Sequence, residues 1–107
     1  MNLSITRFPE ALADVIERAY YISDTSGLNA SDKFLTAVET GYKQLAEMPG
    51  MGSPRDYDPN FPGLRRRHVP KFPKYLIFYQ ATETKLIIRR VLHGAQNIEQ
   101  IFRPDEE

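Results

Sequence analysis

Apolar and polar positions change their period twice along this 107-residue chain. Over residues 3–8 they alternate: Leu3, Ile5 and the stem of Arg7 on one side, Ser4, Thr6 and Phe8 on the other. That is the pattern of a short strand. From Pro9, which suits a first helical turn, the period becomes helical. Leu12, Val15, Ile16, Ala19, Tyr20 and Ile22 predict a helix to about residue 25, ended by Gly27. Asn29 is a suitable N-cap for a second helix after a join of about three residues. Ala30, Phe34, Leu35, Val38, Leu45 and Met48 form its apolar side. Gly41 inside that helix costs about 1 kcal/mol relative to Ala, which predicts a close approach to another element. Pro49 and Gly50 end it, so the two helices read as an antiparallel hairpin.

Residues 49–63 hold four prolines and three glycines and read as a loop within one domain. Three strands follow: Leu64–Val69, Tyr75–Ala81 and Leu86–Leu92. The middle one is nearly all apolar or aromatic and is expected to be buried on both faces. Pro70 and Pro73 confine any sheet between the first two strands to an edge, a bulge or a connection. Residues 82–85 form a hairpin turn, and Ile98, Ile101 and Phe102 suggest a short terminal helix. The expectation is one α+β domain over residues 1–107. An N-terminal strand and a helical hairpin precede a three-stranded antiparallel unit that completes one sheet, with the hairpin on one face.

Composition narrows the function classes. No apolar run has the roughly 18 residues of a membrane-spanning helix, and the N-terminus lacks the pattern of a secretory signal. With no cysteine and two distant histidines, neither disulfides nor a metal centre are expected, and no cofactor. A cytoplasmic protein is the expectation. The net charge is zero, but residues 64–94 carry eight Lys/Arg against one acid, and the remaining 76 residues carry six against thirteen. A segment of net +7 in a background of −7 points to an anionic partner.

Within that segment, Arg65, Arg66, Arg67 and His68 are consecutive. Strand alternation sends Arg65 and Arg67 one way, Arg66 and His68 the other, so not all four can serve one ligand. They can form a guanidinium cluster for phosphate or carboxylate, or a solvated edge that discourages aggregation. Arg89 and Arg90 are expected on opposite faces, one joining the cluster and one pairing with a helix acid. His93, at the strand end, suits either acid–base chemistry or a structural hydrogen bond. Tyr75, Phe78 and Tyr79 suggest base stacking, although core packing suits Phe78 better. No nucleophile–base pair, phosphate-binding loop or paired carboxylates are recognisable.

The ordered set of Ala11, Asp14, Tyr21 and Ile22; Ala30, Phe34 and Leu35; Leu45 to Gly52; Leu64 to Phe72; Tyr75 to Tyr79; and Ile87 to Asn97 resembles the ParE branch of the ParE/RelE toxin superfamily over nearly the whole chain. The resemblance implies the toxin of a type II toxin–antitoxin pair, or plasmid stabilisation protein, with the fold outlined above. It also implies inhibition of DNA gyrase by binding. A partly disordered, acidic, amphipathic antitoxin would neutralise it within a hetero-oligomer, seated beside the hairpin and the basic sheet. Partner-binding residues would then include Arg65, Arg66, Arg67, Lys71, Arg89 and Arg90. The RelE-like alternative is a ribosome-dependent mRNA endoribonuclease, with Arg65, Arg67, Arg89 and His93 or a tyrosine around the scissile phosphate. A third reading is an inactive structural member. Gln96-Asn97 departs from the Arg-Asp pair of many relatives.

Overall fold

The computed structural model describes residues 2–55 and 60–103. Strand β1 (Ser4–Arg7) leads into helix α1 (Pro9–Ser26), with proline in the first turn as expected and Phe8 preceding it. Helix α2 spans Leu28–Glu47. The join between the helices is one residue, not three, and Asn29 lies inside α2 rather than capping it. Gly27 does both jobs: its N–H donates to Ser23 O at 3.0 Å, and its carbonyl accepts from Ser31 N at 3.2 Å. A reversal this tight needs its φ of 93°, which a side chain would strain. Ser31 Oγ, nearly buried, then ties the helices by donating to Ala19 O at 3.0 Å.

After a 3-10 turn over Pro49–Met51 come β2 (Ser53–Pro54), β3 (Arg65–Val69), β4 (Phe72–Ala81), β5 (Lys85–His93) and α3 (Ile98–Phe102). The loop read over 49–63 therefore contains a short strand, while its residues 56–59 lie outside the described residues. Among the described residues the strands form one five-stranded sheet, β1-β5-β4-β3-β2. All pairs are antiparallel except β1 with β5, so the chain's first strand lies beside its last. Strand β4 starts three residues earlier than expected. Val69 pairs with Phe72, and Pro70-Lys71 form a two-residue turn in which Lys71 takes a φ of 68°.

The hairpin covers one face of the sheet, where Phe34, Val38 and Leu45 meet Val69, Ile77, Tyr79, Leu86 and Ile88. A Cβ on Gly41 would lie 2.9 Å from Ile77 Cδ1 and 3.0 Å from Pro70 Cδ, the close helix–sheet approach the sequence predicted. On the other face, Leu64, Phe78, Leu92 and Phe102 form a second core under α3. The central strand is thus buried on both sides, as its composition required.

The apolar positions that predicted α1 divide into two lanes. The helix turns Ala11 and Ile22, with Val15 and Ala19, toward the sheet. Leu12, Ile16 and Tyr20 face solvent with 47%, 55% and 71% of their surface exposed, as do Leu35 and Met48 of the second apolar side at 39% and 61%. Apolar positions on α1 cover a wider arc than one helix can press against a sheet, and the lane with the smaller residues packs more closely.

Candidate partner-binding surface

Along β3 the alternation holds. Arg65 and Arg67 pair with Tyr79 and Ile77, which lie under the hairpin, and Arg66 and His68 pair with Phe78 and Leu76 on the other face. Their roles diverge sharply. Arg65 Nη1 donates to Gly52 O at 2.6 Å and so pins the segment before β2. That segment is also clamped by Tyr79, whose hydroxyl donates to Pro49 O at 2.6 Å and accepts from Gly52 N at 2.9 Å. Burial pushes the Tyr79 phenol above its ordinary pKa, against the Gly52 hydrogen bond and the positive charge of Arg65 and Arg67. The tyrosine hydroxyl thus clamps an internal segment and is not offered at the sheet margin.

Strand β2 pairs only with Arg65 and Arg66. Beyond its end, Arg66, Arg67 and His68 line one open cleft of about 310 Å³ with Met51, Ser53, Pro73 and Leu76. Three of the four consecutive residues therefore do converge, because the cleft opens along the strand's edge rather than over one face. Arg66 and Arg67 are half-buried, yet neither has a hydrogen-bond or ion-pair partner among the described residues. Lys71, exposed in the adjoining turn, lines a separate groove against α2 with Asp32, Lys33 and Thr36.

The arginines of β5 are internal fittings. Phe78 pairs with Arg90 and Tyr79 with Ile88, leaving Arg89 as the extra residue of a β-bulge. Simple alternation therefore does not apply to the pair. The Arg89 guanidinium lies 4.0 Å from the centre of the Phe8 ring and 5.2 Å from that of Phe61, and its Nε donates to Gln80 Oε1 at 2.6 Å. Burial lowers its pKa, opposed by the charge of Glu10. Arg90 turns to Asp14 of α1, donating from Nε at 2.7 Å and Nη2 at 2.8 Å. Asp14 Oδ2 also accepts Val91 N at 3.0 Å. Since β1 ends at Arg7, opposite Ile88, that carboxylate satisfies the edge of β5 where the neighbouring strand has stopped. Its hydrogen bonds raise the Arg90 pKa against the effect of burial.

His93 sits at the far end of β5, about 13 Å along the strand from Arg89. Its Nδ1 accepts from Ala95 N at 3.0 Å, so the neutral ring carries its proton on Nε2. Its ring meets Tyr75 edge-on at 5.0 Å. Gln96 and Asn97 are turn and cap residues: Gln96 Oε1 accepts from His93 N, and Asn97 Oδ1 from Gln100 N. Arg65, Arg67, Arg89 and His93, the four residues a nuclease would use, thus lie on β3 and β5, which β4 separates, and do not surround one point. Among the described residues no group of three metal-ligating side chains gathers, and no helix is long and apolar enough to cross a membrane.

The helix acid expected to pair with one of the β5 arginines is Asp14, and the helical spacing alone did not separate the exposed outer lane of the hairpin from the buried one. The paired spacing of Ala11-Leu12, Val15-Ile16 and Ala19-Tyr20 was the available signal, since two adjacent apolar lanes exceed one buried stripe.

Among solved structures the chain is similar to one described as the chromosomal ParDE TA system from P. aeruginosa, with a TM-score of 0.69 and 16% identity over 85% of this chain and 95% of that one. No curated protein sequence matches it. The model of the family described as the ParE toxin of the type II toxin–antitoxin system, parDE, matches residues 7–98. The helical hairpin and strands β2 to β5 of this chain fall within that match, and the chain belongs to the ParE toxin family.

Proposed function

We propose that this protein is a cytoplasmic toxin that arrests growth by binding DNA gyrase, and that an acidic antitoxin neutralises it by covering the cationic margin of the sheet. The observation that carries this reading is the division of labour among the arginines. Arg65, Arg89 and Arg90 are engaged within the protein. Arg66 and Arg67 line an open cleft and have no carboxylate partner among the described residues, and Lys71 is exposed in the turn that follows β3. Half-buried guanidinium groups without partners suit carboxylates supplied by another chain. The wide separation of Arg89 and His93 favours binding over catalysis, because a phosphate transition state requires convergent donors.

Purified protein tested for inhibition of gyrase supercoiling, beside an assay of translation-coupled mRNA cleavage, separates the two target classes. Loss of supercoiling with intact mRNA is expected; cleaved mRNA with normal supercoiling would refute the gyrase reading. For the partner, Arg66→Glu with Arg67→Glu is expected to weaken the complex with an acidic protein encoded beside the toxin by at least about tenfold. Unchanged affinity would rule out recognition through this margin.

A further inference from the structure

A groove of about 560 Å³ opens where α2 passes the turn between β3 and β4, and it shares no lining residue with the arginine cleft. The helix presents small residues here. Ala37 floors the groove, and one turn further on Gly41 lets α2 close on the turn, since a Cβ at Gly41 would lie 3.0 Å from Pro70 Cδ. The opposite wall is Pro70 with Phe72, whose ring meets the buried Phe34 edge-on at 5.5 Å. From Asp32 to Thr40, the span of helix along the groove, the distance is about 12 Å. A short apolar space of this volume, closed where the helix meets the turn, suits a compact ligand better than a helix or strand of another chain.

The turn carries a second observation. Pro70 fixes a negative φ at its first position, so the φ of 68° at Lys71 makes it a type II turn. That second position favours glycine, because a side chain there strains the backbone. Among the described residues Lys71 is the one non-glycine residue with a positive φ. A strained residue that the turn itself does not need points to a use for its side chain. Its ammonium lines the groove together with that of Lys33, against a single carboxylate, Asp32. None of the three is hydrogen-bonded or ion-paired among the described residues. The Thr36 and Thr40 side chains add hydroxyls to this rim. Two cations and one acid leave a net charge of +1, which matches one anionic group. We propose that the groove binds a small amphiphilic anion, an apolar body bearing one carboxylate, with the body on Ala37, Pro70 and Phe72 and the carboxylate held by Lys33 and Lys71. The arginine cleft plays no part in this site, so either reading survives the other's failure.

Naphthoate and naphthamide, which share one aromatic body and differ in charge, are the probes, titrated into the isotope-labelled full-length protein and followed by amide resonance shifts. The shifts are expected within residues 32–40 and 70–72. Naphthoate should bind about fivefold more tightly than naphthamide, with the preference shrinking as salt is raised. Lys71→Gly suits the turn and should not lower Tm, yet it should cut the preference for naphthoate at least about twofold, while Lys71→Arg retains it. Lys71→Gly with Lys33→Gln should erase the preference and leave naphthamide binding as it was. Equal affinities for acid and amide, shifts elsewhere on the protein, a fall in Tm for Lys71→Gly or no binding at all would overturn the proposal. So would tighter binding of a short acidic leucine peptide than of naphthoate, which would reassign the groove to a protein partner, or a dimer in sedimentation that Lys71→Gly dissociates.

Discussion

Replacing Asp14 by Ala tests whether one carboxylate stands in for a missing strand. In the native protein Asp14 and Arg90 are 13% and 26% exposed at the side chain, and the carboxylate accepts three hydrogen bonds, one from Val91 N. The substitution leaves the Val91 N–H without its acceptor, which costs about 1–3 kcal/mol. It also leaves the Arg90 guanidinium without its counter-charge, roughly another 1 kcal/mol at this partial exposure. Asp14→Ala should therefore cost about 3 kcal/mol, a fall in Tm of roughly 12–15 °C for a domain of this size. Asp14→Asn retains an acceptor for Val91 and should cost about half as much. Arg90→Ala leaves the backbone bond in place, so a double-mutant cycle isolates the side-chain pair at about 1–2 kcal/mol. Urea unfolding of the three variants supplies the numbers. A cost below 1 kcal/mol for Asp14→Ala, or no coupling in the cycle, would refute this account of the β5 edge.

Other consequences follow from the same packing. Tyr79→Phe removes the clamp on Pro49 and Gly52 and leaves a buried N–H unpaired; it should cost about 2 kcal/mol, with faster hydrogen exchange at Gly52 as the local readout. Gly41→Ala gains about 1 kcal/mol of helix propensity but presses on Ile77 and the rigid Pro70 ring, for a net loss of about 1 kcal/mol. Ile77→Val, which deletes the Cδ1 methyl, should remove part of that loss, measured by the same unfolding assay. Tyr42 is buried, and desolvation, with the charge of Glu39 next, raises its phenol above the ordinary 10.0. The raised value favours the folded state in full below pH 10, and the advantage is lost as pH rises through the folded value, at about 1.4 kcal/mol per pH unit. Tyr42→Phe should accordingly flatten the decline of stability above pH 10, although Tyr79 contributes its own share; parallel curves for the two proteins would contradict this.

The sequence by itself determined the element order apart from the short β2, the burial of β4 and the close approach at Gly41. Each is a local consequence of side-chain period, or of a residue that only one environment tolerates. It also located the excess positive charge, since charge is additive along the chain. Tertiary structure decided how that charge is used. Arg65, Arg66 and Arg67 are consecutive and chemically identical, yet one is fixed to Gly52 O while the other two line a cleft, because β2 stops partway along β3. The β-bulge at Arg89 and the end of β1 at Arg7 sent Arg90 to an acid 76 positions away. The outward turn of Leu12, Ile16 and Tyr20 was settled by which of two apolar lanes packs more closely on the sheet. That choice rests on the shape of the opposing surface, which no period within the helix encodes.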